Sequence, residues 1–516
     1  MAGPLGFWSI ATDDPSRVAV VDPHGRQTTF GELAELANNY THGLRACGLG
    51  VGDGLVMVLP NGLDLIALTL ATFQGGMYDT PVNWRLTAPE ISYILADSDA
   101  AALVVHERFA TEAVGVGERT AVAHRYAVGS VDGYRPLAEL SGGRPAGRPE
   151  NLASGLTMTY TSGTTGRPKG VRRPISDKHP DESAAIAGLP LLVFGIQPHD
   201  GNVHLCAGPM YHAAGGRFVT MSLHLGHTVV LMDRWSAAET LELIERHRVT
   251  HTHMVPTMFH RLLQLPEEVR RRHDLSSLRR VIHAAAPCPV ETKLRMLDWW
   301  GECIWEYYAA TEGGGTLVGP EEWRRFPGTV GRPWPNAEVI IAGEGGAELP
   351  PGESGPVYMR MTPSQQFEYH KDERKTADGR LGEFFTVGDV GYLNDEGYLF
   401  LNDRAGDMII VGGVNIYPAE IEGVMQQCPL VGDVAVFGVP DEDLGERIHA
   451  VVEPAPGVEA GEATRRAIME FLQGRLARQR HPHSLDFSDA LPREPTGKLY
   501  KRRLRDPYWA GRERRI

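Results

Sequence analysis

Tyr160-Thr161-Ser162-Gly163-Thr164-Thr165-Gly166-Arg167-Pro168-Lys169-Gly170 is the stretch on which the reading of this chain turns. Its eleven positions hold four Ser/Thr hydroxyls, three glycines and a lysine. Glycines let backbone N–H groups turn toward an anion, hydroxyls add further donors, and the ammonium adds charge. The ligand such a loop suits is a polyphosphate. It is not a Walker A loop, because Pro168 precedes Lys169 and Gly170 follows it where that motif needs Gly-Lys-Ser/Thr. A flexible surface loop is the blander reading, and so ordered a set of donors weighs against it.

Around this loop the chain alternates short apolar runs with helical patterns. Arg17 to Asp22 and Leu55 to Leu59 read as strands, and Leu63 to Phe73 as a helix. Thr29 with Glu32, and Thr87 with Glu90, form capping boxes, in which the hydroxyl takes an orphan backbone N–H and the carboxylate reaches back. The first box opens a helix that buries Leu33, Leu36, Tyr40 and Leu44, with Gly48 to end it. The alternation continues through strands at Leu103 to His106, Thr228 to Met232 and Val281 to Ala284, with a helix at Ala237 to His247. Strands separated by helices imply parallel sheets covered by helices. Between Phe384 and Val411 the turn residues Gly388, Gly391, Asn394 and Gly397 suggest hairpins instead. Beyond Asn415 the elements shrink: a helix at Ile416 to Gln426, strands at Asp433 to Val439 and Arg447 to Val452, and a helix at Ala463 to Ala477. A boundary is placed near Arg404-Ala405-Gly406-Asp407, dividing the chain into residues 1–403 and 404–516.

A chain of 516 residues is too long for one core. With 42% hydrophobic and 22% charged residues it is ordinary for a soluble globular protein. A net charge of -14 disfavours general nucleic-acid binding, and the basic end from Lys501 to Arg515 reads as a solvated tail. Five scattered cysteines without a Cys-x-x-Cys pair fit a reducing, cytoplasmic compartment rather than a disulfide frame. No signal peptide is evident at the N-terminus, and the apolar segment from Leu55 to Phe73 is broken by Pro60, Asn61 and Asp64, so no transmembrane span is expected. Peripheral membrane contact and oligomeric state stay open. His251 and His253 share a strand face but lack a third ligand nearby, and are read as structural.

Further motifs follow in order: Pro209-Met210-Tyr211-His212-Ala213-Ala214-Gly215, Tyr308-Ala309-Ala310-Thr311-Glu312, Thr386-Val387-Gly388-Asp389, Gly412-Gly413-Val414-Asn415-Ile416-Tyr417-Pro418-Ala419-Glu420 and Pro495-Thr496-Gly497-Lys498. With the loop at 160–170, this ordered set resembles the adenylate-forming superfamily, which includes acyl-CoA synthetases, peptide-synthetase adenylation domains and luciferases. The resemblance runs from about Arg17 to Arg505. It implies an α/β fold: a large N-terminal domain of helix-covered mixed sheets with a small β-barrel-like subdomain, and a small mobile α+β C-terminal domain. It also implies an ATP-dependent, AMP-forming acyl-CoA synthetase, using ATP, Mg²⁺ and coenzyme A on a small-molecule carboxylic acid. Two alternatives stay beside it: an acyl-AMP ligase that loads a separate carrier protein, and a non-catalytic AMP-binding sensor.

By the same resemblance, Thr161, Ser162, Gly163, Thr164, Thr165, Gly166 and Lys169 would hold the phosphates. Tyr308 and Ala309 would flank the adenine and Thr311 the α-phosphate. Glu312, with Thr165, would hold Mg²⁺. Asp389 would accept the ribose hydroxyls beside Arg404, and Lys498 would bridge the carboxylate and the α-phosphate. Gly412 and Gly413 would line the pantetheine tunnel. The acyl pocket would draw on Tyr211, His212, Gly215, Gly216, His253, His283, Ala285 and Ala286. Small residues at 213–216 suggest room for a bulky or long acid, and His212 stands where amino-acid-activating relatives place an aspartate. The departures are Ala309 for a glycine, Val387 for a threonine, Gly406 at the expected hinge, and Ile410 where some members carry lysine. None removes an essential charged group.

Overall fold

Leu55, Val56, Met57 and Val58 form one uninterrupted apolar run, and the computed structural model shows why none of the four is polar. Leu55 and Met57 enter one hydrophobic core, and Val56 and Val58 another on the opposite face. Ala102 and Val104 divide from Leu103 and Val105 in the same way. A strand buried on both faces needs apolar residues at every position. The structure describes residues 3–161, 168–335, 337–360, 366–404, 406–493 and 499–510. They fold as two compact units: Met1–Met254 with Leu265–Ile282 and Pro363–Asp378, and Val255–Gln264 with His283–Thr362 and Gly379–Ile516.

The first unit holds an all-parallel sheet in the order Arg135–Pro136, His124–Val128, Ala100–His106, Gly54–Val58, Tyr78–Pro81, Leu156–Thr157. Helices Phe30–Ala46 and Leu63–Gln74 cover one face, and Ala88–Asp97 and Ala110–Arg119 the other. Both expected capping boxes are present. In the first helix Leu36 is only half-buried, and Ala37 takes the core position between Leu33 and Tyr40. A second set of parallel strands runs His251–Met254, Val203–Cys206, Thr228–Leu231, Val18–Val21, with Gln27–Thr29 antiparallel at its edge. Among the described residues no helix is long and apolar enough to cross a membrane.

This second strand set carries an unusual load of buried imidazole. His204 stacks on His251 at 4.9 Å, and His227 meets His251 edge-on at 5.2 Å. Ser222 Oγ and Thr250 Oγ1 lie 3.1 and 3.2 Å from the two ring nitrogens of His251, so its hydrogen bonds go to hydroxyls. His253 packs against Phe218 at 4.7 Å. Burial, the leading cause at each, lowers His204 to about 3, His224, His227 and His253 to about 4, and His251 well below its ordinary range. Unfolded, these groups titrate near ~6.5. Between those values the unfolded chain binds more protons, so stability is lost as pH falls below ~6.5. Asp79 works the other way: burial raises its carboxyl to about 7, which favours the folded chain as pH falls. Five imidazoles outnumber the three carboxyls that burial raises, Asp79, Glu306 and Glu422. The Tm, followed by calorimetry from pH 7.5 down to 5, is therefore expected to fall. A Tm that stays level or rises over that range would refute the buried neutral cluster.

In the second unit the hairpin-rich stretch forms an antiparallel sheet ordered Arg380–Leu381, Phe384–Phe385, Gly355–Arg360, Asp389–Leu393, Leu399–Arg404, with Val339–Ile341 also paired to Gly355–Arg360. Ile304–Ala310, Gly313–Val318 and Arg332–Pro333 make a further antiparallel ladder. The C-terminal elements build a mixed sheet, Val414–Ile416, Ile409–Val411, Gly445–Pro454, Val431–Asp441, with Ser484–Phe487 parallel to Gly445–Pro454. Its core joins Ile409, Val434, Val436 and Ile448 to Ile421 and Ile468 from two helices. Both helices are shorter than the periodicity predicts. Pro418, which lacks an N–H, opens the first at Pro418–Met425, leaving Ile416 in a strand. The second, Glu462–Leu472, stops where Gln473 is extended and Gly474 turns left-handed. The expected α/β class with mixed sheets holds.

Candidate active site

In the first unit the phosphate-loop motif is framed by a hairpin. Thr159–Thr161 pairs antiparallel with Lys169–Arg172, setting Thr161 opposite Lys169. Ser162, Gly163, Thr164, Thr165 and Gly166 lie outside the described residues, as does Lys498. The hairpin is anchored on both sides. Tyr160 donates its hydroxyl to Asp97 at 2.6 Å, and Thr157, just before the hairpin, donates to the buried carboxyl of Asp79 at 2.9 Å. Lys169 is 13% exposed, 3.6 Å from Asp372 and 5.7 Å above the centre of the Tyr369 ring. Burial and then neighbouring Lys375 lower its ammonium to about 8, while Asp372 opposes the fall. The sequence reading missed Asp79, Tyr369, Asp372 and Lys375. None sits in a motif, and only chain pairing brings them to the loop.

In the second unit the ladders place three separated motif residues together. Asp389 and Arg404 are register partners on adjacent strands. Tyr308 donates to Asp389 Oδ2 at 2.6 Å, and Arg404 Nε lies 3.3 Å from Oδ1. Burial, then the charge and hydrogen bond of Asp389, hold the Tyr308 phenol well above its ordinary range, so it stays a donor. Each carboxylate oxygen of Asp389 thus has one partner, and each keeps a second lone pair for a vicinal diol. Thr311 and Glu312 form the two-residue turn between Ile304–Ala310 and Gly313–Val318, where Ala310 pairs with Gly313. Glu312 is buried, and Ala309 and Thr311 are half-buried.

The expected acyl-pocket residues do not all serve as open walls. Tyr211 and His212 pack ring to ring at 4.5 Å, with Trp84 edge-on to Tyr211 at 6.4 Å, just before the helix Ala213–His224. Gly215 and Gly216 have a packing reason to be small. A Cβ on Gly215 would stand 2.3 Å from Pro209 O, and one on Gly216 2.6 Å from Met210 O. Their missing side chains let the helix approach that turn. His253 is buried against Phe218. In the second unit, the His283 side chain is wholly buried, 3.4 Å from Glu306 and edge-on to Phe259 at 5.1 Å. It stands beside the buried Lys293–Glu306 pair. Ala285, at φ 76°, and half-buried Ala286 follow it. Gly412 and Gly413, at φ 57° and 82°, are the two turn residues between paired Val411 and Val414, so the hairpin itself requires them.

The donor set fits Mg²⁺ rather than an all-protein metal cage. Among the described residues no group of three or more ligating side chains comes together. Mg²⁺ is commonly held by one or two carboxylates, with phosphate oxygens and water completing the shell, and Glu312 is a carboxylate of the kind that would serve.

A phosphate-loop hairpin, a tyrosine–carboxylate–arginine group and a carboxylate on a tight turn suit a nucleotide-using enzyme. Comparison with known proteins agrees. The chain matches the AMP-binding enzyme family over residues 7–364 and the AMP-binding enzyme C-terminal domain over residues 420–498. It is 33% identical over 506 residues to the long-chain-fatty-acid–CoA ligase FadD13 of Mycobacterium tuberculosis, covering 97% of each chain. It is 32% identical over 518 residues to the fatty acid–[acyl-carrier-protein] ligase ScoC of Streptomyces coeruleorubidus, covering 98% of this chain and 96% of that one. Among solved structures it superposes on the amide bond synthetase McbA of Marinactinospora thermotolerans with a TM-score of 0.81 at 27% identity, covering 97% of this chain and 99% of that one. The chain belongs to the AMP-binding enzyme family, within the adenylate-forming superfamily.

Proposed function

We propose that this protein is an acid–thiol ligase: it joins a carboxylic acid to ATP, releasing pyrophosphate, and passes the acyl group from the acyl-adenylate to coenzyme A. The observation that carries the nucleotide half is the Tyr308–Asp389–Arg404 group, in which a carboxyl is oriented by a phenol on one oxygen and a guanidinium on the other. Asp389 would take the ribose diol and Tyr308 would flank the base. Thr161, Lys169 and the hydroxyls of 162–165 would take the phosphates. Bound Mg²⁺ would neutralise phosphate charge beside Glu312 and Thr165. Both reactants are anionic, so the work of these residues is alignment and charge neutralisation. The division at residue 404, with Gly406 as pivot and Gly412-Gly413 facing the pantetheine arm, is part of the same proposal.

The similarity to FadD13 supports a fatty or bulky hydrophobic acid and coenzyme A as acceptor. The near-equal similarity to ScoC favours a second reading, in which a separate carrier protein accepts the acyl group. Incubation with ATP, Mg²⁺, coenzyme A and a panel of carboxylic acids, read by mass spectrometry, decides between them. A dominant acyl-CoA supports the first reading. Acyl-AMP without acyl-CoA replaces it with the second. Absence of acid-dependent pyrophosphate release removes both.

Asp389→Asn preserves shape and removes the charge. Hydrogen bonds to a charged group contribute about 1.5–3 kcal/mol, so the KM for ATP is expected to rise about 10–100-fold with a smaller change in kcat. Initial rates of pyrophosphate release against ATP concentration test this. An unchanged KM takes Asp389 out of the nucleotide site.

A further inference from the structure

Lys375 lies in no recognisable motif, yet the fold turns it back onto the phosphate-loop lysine. The strand Glu368–Tyr369 pairs antiparallel with Lys169–Arg172, with Tyr369 opposite Val171. Asp372 then starts a short helical turn: its carboxylate accepts the Lys375 backbone N–H at 3.1 Å, and its carbonyl accepts the Thr376 hydroxyl at 2.9 Å. Thr376 in turn accepts the Tyr369 N–H at 3.0 Å, which closes the turn on the strand. The Lys375 ammonium thereby lies 5.9 Å from the centre of the same Tyr369 ring that Lys169 overlies at 5.7 Å.

Two ammoniums gathered on one ring repel: after burial, Lys375 lowers the Lys169 ammonium, while Asp372, 3.6 Å from Lys169, opposes the fall. Other basic groups of the segment are engaged elsewhere: Lys371 pairs with Asp99 at 2.7 Å, and Arg172 lies over the Tyr78 ring at 4.5 Å. A ligand with several charged oxygens relieves that repulsion. We propose that Lys375 is a second polyphosphate-binding lysine, acting with Lys169 on the β- and γ-phosphates of ATP and on the departing pyrophosphate. The proposal rests on the reading of this protein as ATP-dependent. A purely structural Lys375 would instead cover Tyr369 with its stem and leave nucleotide affinity alone.

The test compares the full-length protein with Lys375→Gln and Lys375→Arg by calorimetry, using magnesium α,β-methylene-ATP and AMP as probes. Loss of one charge-assisted hydrogen bond is expected to weaken the triphosphate analogue about tenfold in Lys375→Gln. AMP binding should stay within about twofold, and Lys375→Arg should restore the analogue. Equal loss for the two probes, or analogue binding within about twofold of wild type, overturns the proposal. Acid-dependent ATP–pyrophosphate exchange is measured alongside. If exchange proceeds but Lys375→Gln leaves analogue binding unchanged, the second lysine is refuted and the ligase reading stands. If the Lys375 effect is found but no acid supports exchange, the ligase reading falls and the polyphosphate site stands.

Discussion

Lys293→Ala is expected to destabilise the second unit by about 3–5 kcal/mol, the cost typical of removing one partner from a buried ion pair. Lys293 Nζ lies 2.6 Å from Glu306 Oε2, with side chains 0% and 6% exposed. The ammonium also sits 4.5 Å over the ring of buried Trp323, and His283 approaches the same carboxylate oxygen at 3.4 Å. Burial pushes the Glu306 carboxyl upward and Lys293 holds it down. Without Lys293 the group must take a proton or stand charged in an apolar site, and either outcome costs stability. Glu306 and Tyr308 are alternate residues of one strand and point to the same face. The loss is therefore expected to reach the nucleotide site as a raised KM for ATP. Replacing both partners, Lys293→Met with Glu306→Leu, should recover most of the stability, since an apolar pair leaves no orphaned charge. Chemical denaturation of the single and double variants measures both effects. A single variant within about 1 kcal/mol of wild type would show that the pair carries no net load.

That ion pair shows where reading the sequence stops. The core strands and the helices that cover them were legible because their information is local: Leu55 to Val58 is apolar at every position, and each capping box spans four residues. The group proposed for the nucleotide was legible for a different reason. Tyr308, Asp389 and Arg404 each sit in a motif, and the ladders then bring them within hydrogen-bonding distance. Lys293 has no motif, and its partner lies on a strand after the helix that bears it. An isolated lysine in an amphipathic pattern reads as a surface residue, and here it is wholly buried. The expected acyl-pocket residues show a second limit. Gly215 and Gly216 are small where a Cβ would meet backbone, and the His283 ring lies beside Glu306, so each has a packing neighbour that the sequence does not reveal. A side chain's type gives its chemistry; only the fold decides which neighbour uses it. Helix ends were missed where a single residue outweighs periodicity, as Gly474 does.

Lys498→Ala is expected to slow adenylation by about 10²–10³-fold, equivalent to about 3–4 kcal/mol, the usual loss when one preorganised donor to a developing charge is removed. The role rests on the Pro495-Thr496-Gly497-Lys498 motif and its resemblance to the superfamily's C-terminal lysine motif. The flanks of the motif are pinned. Arg493 pairs with Asp433 at 2.6 Å and bridges antiparallel to Leu499, and the Tyr500 N–H donates to Pro492 O at 2.7 Å. The effect must also be selective. In adenylation, two anions approach each other at the α-phosphate and need a cation between them. In thioester formation a neutral or thiolate sulfur attacks an acyl-adenylate already made, and that demand is gone. Supplied acyl-adenylate and coenzyme A should therefore react in Lys498→Ala at close to the wild-type rate, while acid-dependent ATP–pyrophosphate exchange collapses. Equal losses in both half-reactions would assign Lys498 to the general stability of the second unit and leave the α-phosphate without its proposed cation.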